Sequence, residues 1–143
     1  MKHTPQITRE FRHRLPVQIR FNDIDMFGHL NNTVYLQFLD QGKYAYFRQF
    51  MDGSFGSSPT APVVVNINVN FHAPAFIDEK LTVYTGITDI ADSSMTLEQY
   101  IADDKGNIKC SAKTIMVNID MKTGQPLTVD DNWRKLISNY ENK

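Results

Sequence analysis

The feature that most constrains this chain is one long amphipathic helix followed by four strand-like stretches on short connections. Asn31 and Asn32 are favourable helix N-caps. After them Tyr35, Phe38, Leu39, Gly42, Ala45 and Tyr46 recur at helical spacing and form one apolar face. Gln37, Asp40, Gln41, Lys43 and Arg48 lie elsewhere on the wheel. Gly42 costs a helix about 1 kcal/mol relative to alanine. Its place on the apolar face therefore predicts close approach to whatever the helix packs on.

Before the helix, Val17, Ile19 and Phe21 alternate with polar residues, so Leu15–Phe21 reads as a half-buried strand. Residues 52–62 are rich in Gly, Ser and Pro and read as a loop. Beyond them the period becomes two. Val63, Val65, Ile67, Val69 and Phe71 are expected to share one face, with Asn66, Asn68 and Asn70 on the other. Further strands are predicted over 80–90, 95–102 and 108–119, with a hairpin turn at Asp103-Asp104-Lys105-Gly106. Trp133, Leu136, Ile137 and Tyr140 are spaced for a short C-terminal helix. Short connections exclude parallel crossovers, which need a dozen or more residues. The expectation is an α+β fold: an antiparallel meander with a single long helix on one face.

The 143 residues, 16.4 kDa, make one domain, 1–143. Lys plus Arg is 15 against 16 Asp plus Glu, so no long-range positive field exists to gather nucleic acid. No stretch approaches 18 consecutive apolar residues, so no membrane span is expected. Met1–Arg14 lacks the apolar core of a secretory signal. Cys110 is the single cysteine, which excludes an intrachain disulfide and fits a reducing compartment. Together these read as a cytoplasmic protein.

GxSxG, Walker, GxGxxG and HExxH patterns are absent, and His3, His13, His29 and His72 have no metal-ligand spacing. The informative segment is Arg20–Tyr35. If strand geometry persisted through it, Asp23 and Asp25 would point to the side of Val17, Ile19 and Phe21, just before a helix N-terminus. A carboxylate beside free helix amides can polarise and attack a carbonyl. The same two residues can equally serve as turn formers, with Asn31 or Asn32 capping the helix.

Asp25-Met-Phe-Gly28-His29-Leu-Asn31-Asn32-Thr-Val-Tyr35 resembles the D-x-x-G-H-x-N-N-x-x-Y signature of the 4-hydroxybenzoyl-CoA thioesterase-like family, hotdog-fold acyl-CoA thioesterases. Phe71-His-Ala-Pro74 followed by Leu81 and Val83 is similar to a second family pattern, with Asp78-Glu79 standing where the family has Gly-Asp. Gly124-Gln-Pro126 resembles its late turn.

The resemblance implies a five-stranded antiparallel sheet wrapped around the long helix. It also implies a homodimer or homotetramer with sites at the subunit interface, an acyl-CoA substrate, and neither cofactor nor metal. Asp25 would be general base or nucleophile, and the backbone N–H of Asn32 would polarise the thioester carbonyl. Gly28 would allow close backbone approach. His29 counts among the catalytic residues, holding the turn or transferring a proton; Asn31 would cap or brace the loop at the substrate-binding site, and Tyr35 would be core or acyl-pocket lining. Asp23 is expected to be structural and Asp40 to take no part in chemistry. Phe27, Leu30, Phe47 and Phe50 are candidate pocket walls or plain core. Lys80, Lys109, Lys113 and Arg48 are candidate partners of CoA phosphates. The Asn66, Asn68, Asn70 row suits either a subunit contact or a solvated face. A carrier-protein thioesterase, a hotdog dehydratase and a non-catalytic acyl-CoA binder are the competing readings.

Overall fold

The computed structural model describes residues 10–51 and 59–142. The reading of residues 1–9 and most of the 52–62 loop lie outside these. Five strands, β1 (His13–Val17), β2 (Thr60–Phe71), β3 (Leu81–Ile90), β4 (Ser94–Asp103) and β5 (Ile108–Asp120), form one antiparallel sheet in the order β1-β3-β4-β5-β2. Helix α1 (Asn32–Arg48) lies against β1, β3 and β4, and α2 (Asp131–Glu141) packs at the β3 edge. This is the expected hotdog arrangement.

Helix α1 buries Val34, Tyr35, Phe38, Leu39, Gly42, Tyr46 and Phe47, the stripe that the spacing predicts. Its N-terminal half packs with Leu81, Val83, Ile101 and Cys110, and burial pushes the Cys110 thiol up to about 12. Its C-terminal half packs with Ile87, Met95, Leu97, Met116 and Ile137. Between the two clusters sits Gly42. A Cβ there would lie 2.5 Å from Val83 Cγ1 and 3.0 Å from Thr85 Oγ1. The close approach read from the sequence is real. Beside it the buried Gln99 amide donates to the Leu39 carbonyl at 2.8 Å and to Thr85 Oγ1 at 3.0 Å. A sheet side chain thus bonds directly to the helix backbone.

Two local readings need correction. The first strand ends at Val17, and Phe21–Asp23 is a single 3-10 turn. Phe21 is 83% exposed while Asp23 is 2% exposed, so strand parity does not carry across them. The cause is hydrogen bonding from Arg20, described below. In β2, Val65 is bulged out. Val64 pairs with Met116 and Asn66 with Ile115. Val64 therefore shares a face with Ile67, Val69 and Phe71, and Val63 pairs with Val117 on the other.

The Asp103–Gly106 hairpin forms as expected. The Asp103 carboxylate accepts from Lys105 N and Asn107 N, and Gly106 sits at φ 85°. Helix α2 closes the β3 edge where β1 has stopped. Glu141 Oε2 accepts from Tyr46 Oη at 2.5 Å and from Ile87 N at 3.2 Å. Burial and the Glu141 carboxylate both push the Tyr46 phenol up.

Gly42→Ala tests the seating of α1. The gain in helix propensity is about 1 kcal/mol, but overpacking of this kind costs about 1–3 kcal/mol. The expected net is destabilisation by about 1 kcal/mol, a fall of roughly 3 °C in Tm, measured by thermal denaturation. An unchanged or raised Tm would show that the sheet yields at this point.

Candidate active site

The chain between β1 and α1 is built around Asp23. Its carboxylate accepts from the Arg20 guanidinium at 2.9 Å and from Arg20 N at 2.8 Å, which bends the chain into the 3-10 turn. The Asp23 carbonyl in turn accepts from Asn31 N at 2.8 Å. Asp23 is structural, as its place in the sequence suggested. The Arg20 side chain holds its carboxyl below the ordinary value of 3.8 despite burial.

Asp25 makes a second, smaller turn. Its Oδ1 accepts from Phe27 N at 2.9 Å and His29 N at 3.1 Å, and its own N–H donates to the His29 carbonyl at 2.8 Å. The Asx-turn reading of this residue is therefore correct for one oxygen. Oδ2 has no hydrogen-bond partner among the described residues. Gly28 closes the turn at φ 80°, a left-handed conformation that glycine adopts without steric cost. Asn31 is the N-cap of α1. Its Oδ1 accepts from Thr33 N at 3.0 Å, and its carbonyl from Val34 N at 2.9 Å. The Asn32 N–H takes neither acceptor.

A cavity of about 250 Å³ collects Asp25, His29, Leu30, Asn32 and Tyr35. Of the residues singled out from the sequence, Gly28 and Asn31 do not line it; they shape the loop and cap the helix. The far wall is Phe71, His72, Ala73 and Pro74. Phe71 and His72 were not assigned a role from the sequence, although the aromatic-x-x-Pro pattern marks their position. This wall is tied to the site at several points. Tyr35 Oη donates to the Ala73 carbonyl at 3.3 Å, and Leu30 N to the Ala75 carbonyl at 2.8 Å. His72 and Ala73 N–H groups both donate to the Lys109 carbonyl. His72 Nε2 is 2.7 Å from Ser111 Oγ. The Tyr35 ring meets Phe71 edge-on at 5.4 Å, and His29 meets Phe76 in the same way at 5.2 Å. Burial pushes the Tyr35 phenol up to about 12, so it holds its proton at neutral pH.

Several other candidates are relocated. Leu30 is buried at the base of the site, Phe47 is core, and Phe50 packs at the far end of α1. Phe27 is 76% exposed and is neither core nor wall here. Lys109 is buried, with its Nζ 2.9 Å from Glu79, 3.1 Å from the Pro74 carbonyl and 3.8 Å from Asp103. It braces the Pro74 wall and is not available to a phosphate. Lys80 lies just before β3 and, like Lys113 and Arg48, is exposed. Asp40 is exposed and 3.5 Å from Lys43. No group of three or more His, Cys, Asp or Glu with metal-binding placement exists among the described residues.

Helix, sheet and cavity together define a hotdog protein whose candidate site joins a carboxylate to a helix N-terminus. The chain belongs to the thioesterase-like superfamily, whose family model matches residues 19–136. It is 28% identical over 121 residues to the long-chain acyl-CoA thioesterase FadM of Escherichia coli K12, covering 83% of this chain and 92% of that one. It is 26% identical over 109 residues to the acyl-CoA thioester hydrolase YbgC of E. coli O6:H1, covering 75% and 81%. Among solved structures, a Thermus thermophilus thioesterase complexed with coenzyme A and zinc superposes with a TM-score of 0.81. It has 22% identity, over 93% of this chain and 96% of that one, and supports the fold.

The Arg20–Asp23 bend gives a pH-dependent prediction. A carboxyl whose folded pKa lies below its unfolded one contributes stability above the unfolded value. That contribution is lost as pH falls through the folded value. Asp23→Asn should therefore lower Tm at neutral pH, with the gap from the wild type closing below the ordinary carboxyl value of 3.8. Thermal melts across that range measure it. A gap that does not depend on pH would show that the Asp23 charge is not what holds the bend.

Proposed function

We propose that this protein hydrolyses acyl-CoA thioesters to a free acid and CoA, using Asp25 and the N-terminus of α1. The observation that carries the reading is one cavity lined by both Asp25 and Asn32, with Asp25 Oδ2 unpaired among the described residues. Membership of the superfamily and likeness to relatives named as acyl-CoA thioesterases support the substrate class.

On this reading the thioester carbonyl oxygen lies toward the Asn32 N–H and the positive end of the α1 dipole. Asp25 Oδ2 either takes a proton from water, whose oxygen adds to the carbonyl carbon, or adds there itself. The carbon–sulfur bond then breaks, and CoA leaves as thiolate and is protonated. In the second route water then hydrolyses the resulting anhydride, returning the aspartate. His29 acts through its backbone, as N–H donor to Asp25. Its ring lies edge-on to Phe76. Lys80, Lys113 and Arg48 are the exposed cations available to CoA phosphates. The lone buried Cys110 suits the reducing cytoplasm as the place of action.

We further propose that the working unit is a homo-oligomer built on the β2 edge. That edge has no strand partner among the described residues, and it exposes Val64 at 44%, Val65 at 58%, Ile67 at 43% and Phe71 at 45%. An edge strand of 12 residues with apolar side chains exposed is a template for pairing with another strand. Antiparallel pairing about a twofold axis would also place a second protomer against the Phe71 wall of the site.

Thiol release from a panel of acyl-CoAs tests the activity. Asp25→Asn, which keeps shape and removes charge, should lose about 10²–10⁴-fold in kcat/KM. No thiol release by the wild type on any acyl-CoA would sink the hydrolase reading. Full activity in Asp25→Asn would sink the role of Asp25. For the assembly, sedimentation of the wild type should give a dimer or a tetramer. Val65→Asp, a charge on the β2 edge, should shift it toward monomer and lower activity with it. A monomeric wild type with full activity would refute the shared site.

A further inference from the structure

The far wall of the Asp25 cavity is irregular chain. The paired register of β2 and β5 ends at Phe71 and Cys110, and residues 72–76 run on without strand structure. Pro74 has no N–H to offer. The position of this wall is therefore set by bonds other than a sheet ladder.

Those bonds come from two sides. Three successive carbonyls, of Ala73, Pro74 and Ala75, each accept one. The outer two meet the start of α1: Ala73 accepts from Tyr35 Oη at 3.3 Å and Ala75 from Leu30 N at 2.8 Å. The middle one accepts from the Lys109 ammonium at 3.1 Å. Lys109 also receives the N–H groups of His72 and Ala73 on its own carbonyl, at 2.8 and 3.3 Å. One residue of β5 thus grips the wall through both side chain and backbone.

Lys109 is itself held in place. Its side chain is 10% exposed, and its Nζ lies 2.9 Å from Glu79 Oε2 and 3.8 Å from Asp103 Oδ2. Glu79 is the closer partner, and its Oε1 accepts from Phe76 N at 3.0 Å, so the end of the wall is tied to the same ion pair. Asp103 is occupied within its own hairpin by Lys105 N, Asn107 N and Asn107 Nδ2. A buried ion pair adds little stability over apolar residues of similar size. What it supplies instead is a fixed direction for its hydrogen bonds.

The wall passes that direction on. Leu30 and Tyr35 flank Asn32, whose N–H is the amide that the proposed hydrolysis uses. Leu30 also bridges to Ile24, next to Asp25, and Asn31 N donates to the Asp23 carbonyl. A shift of residues 73–75 therefore reaches both the Asn32 amide and the Asp25 turn. Neither Lys109 nor Glu79 lines the cavity, so both act only through the wall.

From this chain of contacts we infer that Lys109, paired with Glu79, is a positioning residue for the proposed hydrolysis. Through the Pro74 carbonyl it sets the Asn32 N–H where the thioester oxygen gains charge. The inference rests on the hydrolase reading, and its test separates the two.

Lys109→Met keeps an unbranched side chain and removes the ammonium. In thiol release, kcat should fall roughly 10–100-fold, the scale of loss that a misplacement of about 1 Å causes, with KM little changed. Tm should fall as well, because Glu79 loses its cation. Combining it with Glu79→Gln removes both charges and keeps an oxygen for Phe76 N. In that double variant Tm should recover, while kcat should stay low because the Pro74 carbonyl still lacks its donor. A brace that served stability alone would return both together.

The direct readout is the substrate carbonyl. An acyl-CoA labelled with carbon-13 at the thioester carbon, bound to the slow Asp25→Asn variant, should show a C=O stretch lowered from its value in water. Adding Lys109→Met should move that stretch back toward the value in water. Wild-type kcat in a folded Lys109→Met, a loss confined to KM, a kcat that recovers with Tm in the double variant, or a stretch that Lys109→Met leaves in place would each overturn the inference. A wild type that releases no thiol, but whose bound thioester stretch still depends on Lys109, would refute the hydrolase reading and uphold the positioning role.

Discussion

The seating of α1 on the sheet is the contact on which the rest of the structure depends. Gly42 brings the helix backbone so close to β3 that a single Cβ would meet Val83 at 2.5 Å. In the space so defined, Gln99 donates to the Leu39 carbonyl and to Thr85. A buried amide without a partner costs about 1–3 kcal/mol, so this donor group constrains both the height and the axial position of the helix. With the helix held at its middle, its first turn falls at one end of the sheet. There Asn31 N meets the Asp23 carbonyl and Leu30 N meets the Ala75 carbonyl. The location of the candidate site follows from packing some 10 residues away from it.

The loop before α1 separates two jobs that the sequence had left together. Asp23 and Asp25 are two residues apart and chemically alike, yet one is buried against Arg20 and the other opens on the cavity. Within Asp25 the division is repeated at the level of atoms. Oδ1 accepts two backbone N–H groups and fixes the turn, while Oδ2 has no hydrogen-bond partner among the described residues. A carboxylate positioned by its own backbone bonds cannot rotate freely, so little ordering remains to be done when a substrate arrives.

Much of this was readable from periodicity. The helix, its Asn31 cap, the place of Gly42, the hairpin at Asp103 and four of the strands all follow from local pattern and turn chemistry. What failed was parity carried through irregular backbone. Phe21–Asp23 turns because the Asp23 carboxylate accepts from the Arg20 guanidinium and backbone N–H, and Val65 bulges from β2; neither leaves a period-two signature. Long-range partners were equally invisible. Lys109 looked like any strand lysine until Glu79 and Asp103 were brought to it, and Phe71 and His72 became site residues only when β2 ended beside the start of α1.

The two ends of this single helix differ physically. At the N-terminus the amides of the first turn lack helical acceptors, and the dipole is positive. That end is polar by construction and favours an oxygen that gains charge. At the C-terminal half the apolar stripe widens through Tyr46 and Phe47, and α2 and the β4–β5 methionines complete an apolar enclosure. The Gly42 contact lies between the two and keeps them at a fixed separation along the helix axis. Any change that shifts the helix on the sheet moves the Asn32 amide and the floor of the apolar enclosure together. The two ends are coupled through one rigid element, although no lining residue is common to the Asp25 cavity and this enclosure.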